Sequence, residues 1–262
     1  MHTALTIAGS DSGGGAGIQA DLKTFAAHGV FGTCALTAVT AQNTMGVTAI
    51  QALAADLVTA QIEAIATDIG TDAVKTGMLA NTAIVEAVAA AIESLELPRV
   101  VVDPVMMAKS GDSLLEPEAV AALRTKLLPL ALVVTPNVAE AEALADMTIP
   151  TVKEARRAAR RIRELGPQAV VVKGGHLDGE EIVDVFWDGH ELLEFAGPRV
   201  KSTSTHGTGC TFASAIAANL ALGVPLATAV EAAKAYVAGA IRFAEAIGHG
   251  HGPLHHFWQV HL

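Results

Sequence analysis

The amino-acid sequence predicts an α/β fold, a mainly parallel central sheet with helices on both faces and an antiparallel edge. Short β-branched runs alternate with Ala-rich helical patterns, as they do in βαβ units. The 262 residues are 51% hydrophobic but only 4% aromatic, so the core has to be built from Ala, Val, Leu and Ile. Those residues suit helix-on-sheet packing. Asp188-Gly189 between two apolar runs adds a hairpin signal late in the chain.

In chain order, strands are expected at 4–8, 33–40, 73–76, 100–102, 132–135 and 169–172, each a short run rich in apolar residues, β-branched ones among them. Helices with apolar residues at helical spacing are expected at 18–27, 57–69, 82–95, 117–127, 138–145 and 151–165. The hairpin then pairs 182–187 with 191–195, and helices at 210–222 and 226–246 close the fold. No internal repeat, low-complexity stretch or linker marks a boundary, so a single domain over 1–262 is expected.

Formal net charge is -10, which argues against a nucleic-acid or anionic-membrane surface and leaves small molecules as the expected partners. Two long uncharged stretches, 28–55 and 202–230, are broken by Gly, Asn, Gln, Thr or Pro, short of the roughly 20 apolar residues a spanning helix needs. Cys34 and Cys210 are the only cysteines, and no basic segment precedes the apolar start, so a cytoplasmic location is expected.

Chemistry concentrates in the run Ser202-Thr203-Ser204-Thr205-His206-Gly207-Thr208-Gly209-Cys210-Thr211 ahead of an apolar helical segment. Unpaired N–H groups converge at such a helix start, where the helix dipole favours an anion. Small residues let a phosphate approach, and a cysteine at a helix start is expected to have a lowered pKa, which makes Cys210 a candidate proton acceptor. Neither a Gly-x-x-x-x-Gly-Lys-Ser/Thr run nor a Gly-x-Gly-x-x-Gly run is present, which excludes a P-loop and a simple dinucleotide fold.

Ligands of open α/β sheets collect beyond the carboxyl ends of the strands. There the chain has Gly9 to Gly17 with Gln19 and Asp21, then Gln42-Asn43-Thr44, Gly77-Met78, Asp103-Pro104-Val105, Pro136-Asn137-Val138-Ala139-Glu140, and Lys173-Gly174-Gly175-His176. Gln42 offers donors and an acceptor to a heterocycle edge. Asn137 with Glu140 also reads as a helix cap. A lysine, oxygen ligands and an anion seat on consecutive strand ends are what a Mg-nucleotide site needs.

The runs at 8–23, 40–44, 75–79, 102–106, 135–137, 172–176 and 206–211 together resemble the hydroxymethylpyrimidine/phosphomethylpyrimidine kinases of thiamin biosynthesis, in the ribokinase-like superfamily. The resemblance covers essentially the whole chain. It implies a ribokinase-like three-layer sandwich, ATP and Mg²⁺ as cofactors, an aminopyrimidine substrate and a homodimer. It also implies roles. Gln42 would hydrogen-bond the aminopyrimidine, with Gly9, Ala16, Asp21, Met78 and Val105 around it. Gly207, Thr208, Gly209, Cys210 and Lys173 would act on the transferring phosphoryl group, and Cys210 would lie beside the hydroxymethyl group. Asp103, Asn137 and Glu140 would serve Mg-ATP, with Thr205 on the nucleotide side. Thr40 departs from the family, where valine is frequent. Many ribokinase-like sugar kinases carry aspartate at the Cys210 position.

The histidine-rich tail, His249, His251, His255 and His256, lacks a recognised zinc spacing and reads as packing near the nucleotide. Two other functions fit the same residues: a pyridoxal kinase of the same superfamily, and a nucleotide- or vitamin-binding protein without catalysis. Lys173, Asp103 and Cys210 argue against the second.

Overall fold

In the computed structural model, which describes residues 1–107, 114–177 and 179–259, nine strands form one sheet. They are β1 (Thr3–Asp11), β2 (Phe31–Gln42), β3 (Val47–Ala52), β4 (Ala73–Thr76), β5 (Val100–Val102), β6 (Val133–Val134), β7 (Ala169–Val172), β8 (Glu181–Trp187) and β9 (Leu192–Pro198). Their order is β3-β2-β1-β4-β5-β6-β7-β8-β9. From β2 to β7 all pairings are parallel, whereas β3, β8 and β9 pair antiparallel. The sheet therefore has two antiparallel edges, not only the late one the sequence signals.

Strands β4 to β7 are buried on both faces, which explains the continuous apolar runs of β5 to β7. Alternate side chains feed two cores. Leu5, Ile7, Val100, Val102, Val134, Val170 and Val172 face one, and Ala4, Val101, Val133, Ala169 and Val171 face the other. Helices α1 (Gly17–Ala27), α2 (Ala55–Asp68), α3 (Thr82–Ser94), α4 (Pro117–Ala122), α5 (Val138–Ala145), α6 (Val152–Arg163), α7 (Thr208–Ala221) and α8 (Leu226–Arg242) divide between them. Helices α2 to α6 cover the first core, and α1, α7 and α8 the second. This is the three-layer arrangement expected.

Four elements differ from expectation. Strand β3 has no apolar alternation because it is an exposed edge, so its sequence carries no period. The helix expected over 117–127 is α4, followed by a widened turn, Leu123–Leu127, and a 3-10 turn, Leu128–Leu130, where Pro129 lacks an N–H donor. The hairpin turn takes four residues, because Asp188 Oδ1 accepts the N–H groups of His190 and Glu191. Helix α8 stops at Arg242, beyond which residues 243–249 are largely exposed.

Sheet order reverses between β1 and β4, with β2 on one side and β5 on the other. A crevice opens at the carboxyl ends of strands at such a switch point. Gly9 and Met78 meet there, with Met78 Sδ and Cε 3.3 Å from where a Gly9 side chain would begin.

Candidate active site

One wall of the crevice is organised by Asp11. Its carboxylate accepts the N–H groups of Gly13 (2.8 Å), Gly15 (3.0 Å) and Ala16 (2.8 Å), which wraps the loop after β1 around one anion. His206 Nε2 lies 2.8 Å from the same carboxylate. Burial raises the Asp11 pKa, but His206 and the N–H groups of Ala16 and Gly13 outweigh it and hold the carboxyl below its usual range. A Cβ on Gly15 would meet the His206 ring at 2.4 Å, so only glycine fits there. Gln42 ends β2 with its amide against Thr40 Oγ1 (3.1 Å) and His206 Nε2 (3.3 Å). The tail closes this wall: Thr44 O accepts His251 N–H, and Gly252 O accepts His206 N–H.

The opposite wall comes from strand ends β5 to β7. Lys173 Nζ donates to Asp103 Oδ1 at 2.9 Å. Burial would lower the Lys173 pKa, but the Asp103 and Glu140 charges raise it further, so the ammonium is kept. Asn137 caps α5: its Oδ1 accepts Glu140 N–H, and Glu140 Oε2 accepts Asn137 N–H. The cap reading of this pair is thus realised, and its geometry commits the Asn137 oxygen to the helix. Burial first, and the Asp103 charge, push Glu140 up to about 7 against the pull of Lys173. Among the described residues no three His, Cys, Asp or Glu side chains gather to hold a metal. Asp103 and Glu140 do supply hard oxygens, and Asp103 Oδ2 has no hydrogen-bond donor among the described residues. That fits a Mg²⁺ ion held chiefly by phosphate and water, as such ions usually are.

The turn into α7 joins the walls. Gly207 caps the helix at φ +81, packed so closely on the loop after β1 that a Cβ would come within 1.8 Å of Gly15 O. Two residues on, a Gly209 Cβ would sit 3.2 Å from Lys173 Nζ and 3.8 Å from Asp103 Oδ2. The N–H groups of Thr208, Gly209 and Cys210 have no acceptor among the described residues. They lie at the positive end of a 14-residue helix, where an anion is favoured. Thr208 contributes only its N–H, since its hydroxyl donates to Thr205 O at 2.7 Å. Thr205 lines a cavity of about 490 Å³ with Arg199, Lys201, Ser202, Thr203 and His251.

Two expectations are corrected at Cys210 and Asp21. The thiol is not lowered by the helix start: burial pushes Cys210 up to about 11, against the opposing charge of Lys75. Asp21 lies beneath the crevice, fully buried, where it accepts Thr6 Oγ1 (2.6 Å), Ser214 Oγ (2.6 Å) and Lys75 Nζ (2.9 Å). Ser214 is one helical turn beyond Cys210, so this ion pair underlies the thiol. Removing one partner of a buried pair costs about 3–5 kcal/mol, so both belong to the support of the site. Lys75, His206 and Asp11 have no role in the sequence-based reading. A lone charge in the short strand run 73–76 was the available signal for Lys75.

The phosphomethylpyrimidine kinase family model matches residues 11–255. The chain belongs to this family. It is therefore a phosphotransferase of ribokinase-like fold. A hydroxymethylpyrimidine/phosphomethylpyrimidine kinase of Synechococcus elongatus is 54% identical over 258 residues, covering 98% of each chain. Among solved structures, the ADP complex of Bacillus subtilis pyridoxal kinase is similar with a TM-score of 0.90 and 42% identity, over 98% of this chain and 97% of that one. Phosphomethylpyrimidine kinase from Clostridium difficile gives 0.83 and 44%, over 92% of this chain and 100% of that one. No helix among the described residues is long and apolar enough to cross a membrane.

Proposed function

We propose that the chain phosphorylates 4-amino-5-hydroxymethyl-2-methylpyrimidine with ATP, then phosphorylates the monophosphate to the diphosphate, in thiamin biosynthesis. The observation that carries this reading is the turn from Gly207 to Cys210, which touches the Asp11 loop on one side and the Lys173–Asp103 pair on the other. A phosphoryl group on that turn lies between a heterocycle pocket and a cation.

In this mechanism Gln42 meets the ring edge, while Gly9, Ala16, Met78 and Val105 bound the ring. The N–H groups of Thr208, Gly209 and Cys210 receive the oxygens of the transferring group, and Lys173 neutralises charge as they separate from ADP. Phosphoryl transfer passes through a loose transition state, so positioning and electrostatics carry most of the acceleration. Asp103 and Glu140 would hold Mg²⁺, which screens the phosphate oxygens when bound. Asn137 orients Glu140 through the helix cap. Thr205 and the adjoining cavity offer space for the nucleotide. Cys210 stands where the hydroxymethyl proton has to leave.

The enzyme would be a cytoplasmic homodimer. Cys34 and Cys210 are free thiols, and Val39, Met45 and Ile50 expose apolar surface around the β2–β3 edge that a second copy would cover. Sedimentation at the mass of one chain would contradict the dimer. Pyridoxal kinase activity is the second reading, favoured by the likeness to the Bacillus subtilis structure. ADP release measured with the pyrimidine alcohol, its monophosphate and pyridoxal decides between them. ADP with pyridoxal but not with the pyrimidine would overturn the assignment.

A further inference from the structure

Hydrogen-bond accounting around Gln42 fixes which way its amide points. Thr40 Oγ1 has one proton and two neighbours that could accept it, Ser10 O at 2.9 Å and the Gln42 amide at 3.1 Å. The structure has Gln42 Oε1 beside Thr40 and Nε2 beside His206; a backbone carbonyl can only accept, so the proton goes to Ser10 O, and hydrogen-bond balance turns the amide over, with its donating NH₂ toward Thr40. The other end gives the same answer. His206 Nε2 is 2.8 Å from the Asp11 carboxylate, an acceptor held ionised by its three N–H donors and by His206. Nε2 therefore carries the proton, and the amide atom 3.3 Å from it has to be the oxygen.

We infer that Thr40 and His206 are specificity-determining positioning residues: from opposite ends they lock the Gln42 amide in one orientation. This rests on the proposed function. In that orientation the amide keeps one N–H and one oxygen lone pair for a ligand. An adjacent ring nitrogen and exocyclic amine, as in the aminopyrimidine, satisfies both. An amide free to rotate would serve acceptor-only and donor-only ring edges equally well, so the lock selects between heterocycles. Asp11 holds the His206 tautomer that makes the lock possible. Gly15, where a Cβ would meet the ring at 2.4 Å, leaves the room that His206 occupies.

Thr40→Val keeps the shape of the side chain and removes only the hydroxyl, while Thr40→Ser keeps the hydroxyl. Titration calorimetry with the pyrimidine alcohol and with pyridoxal, on each variant and on wild type, is the test, with thermal unfolding confirming that each variant is folded. Losing one hydrogen bond's worth of orientation corresponds to a factor of about 2–10. Thr40→Val should bind the pyrimidine weaker by that factor and shift the pyrimidine-to-pyridoxal ratio toward pyridoxal, while Thr40→Ser stays within about twofold of wild type. In a Gln42→Leu background Thr40→Val should change nothing further, because there is no amide left to orient. An unchanged ratio in Thr40→Val, or an equal loss with and without Gln42, overturns the inference. Wild type that binds pyridoxal but not the pyrimidine overturns the functional reading instead.

Discussion

At neutral pH the Cys210 thiol keeps its proton, because burial pushes its pKa up to about 11. Only about one molecule in 10⁴ then has the thiolate at pH 7. If Cys210 accepts the hydroxymethyl proton, wild-type turnover rises about tenfold per pH unit from pH 7 to 9. Cys210→Ala should lower turnover about 10²-fold at the upper end of that range, leave the Michaelis constant for ATP unchanged, and lose the slope. Equal slopes in both proteins would remove the thiol from the reaction. Gly209 tests the other half of the turn. A valine there presses on Lys173 Nζ and Asp103 Oδ2, so Gly209→Val should lose turnover by more than 10²-fold with Cys210 intact. Near-normal turnover in a folded Gly209→Val protein would remove the anion seat. The turn into α7 was legible as residues, since glycines before an apolar helix carry their own geometry. The thiol's protonation was not, because it depends on burial and on Lys75 and Asp103, distant in sequence.

Among the elements, β4, β5, β7 and α5 have the expected bounds residue for residue, and α7 begins two residues before and ends one before its expected 210–222, with nearly every side chain of its middle buried. Apolar periodicity finds elements that face a core, and it passed over β3 because that edge faces no core. The tail was legible only as a cluster of histidines. His256 packs beneath it, buried, with Nδ1 3.2 Å from Thr24 Oγ1 and its carbonyl accepting Tyr236 Oη at 2.7 Å. Burial first, then the charges of Lys23 and His255, lower its pKa from 6.5 to about 4. A folded-state pKa below the unfolded one contributes stability that is present above pH 6.5 and lost as pH falls toward 4. The loss is on the order of 3 kcal/mol. Urea unfolding at pH 7.5 and 4.5 should show wild type losing about 2–3 kcal/mol more than His256→Gln. Identical pH dependence in the two would show that the tail does not hold this histidine neutral.

On the scale of the whole molecule, the nine strands and eight helices of the described residues pack around two cores, and a crevice lies where the sheet order reverses. Six strand positions and the late hairpin were readable from the chain, and so was the crevice, because ligand residues gather after parallel strands. How the strand ends face each other was not readable. Asp11 and His206 are 195 positions apart, Lys75 and Asp21 are 54, and only folding brings each pair into contact. The proposed function requires one crevice to perform two successive transfers on the same heterocycle. Phosphorus NMR of a reaction with ATP, Mg²⁺ and the pyrimidine alcohol observes both directly. A pyrimidine monophosphate resonance should appear first and give way to the two coupled resonances of a diphosphate, with ADP released at each step. No phosphorylated pyrimidine while pyridoxal phosphate forms under the same conditions would contradict it.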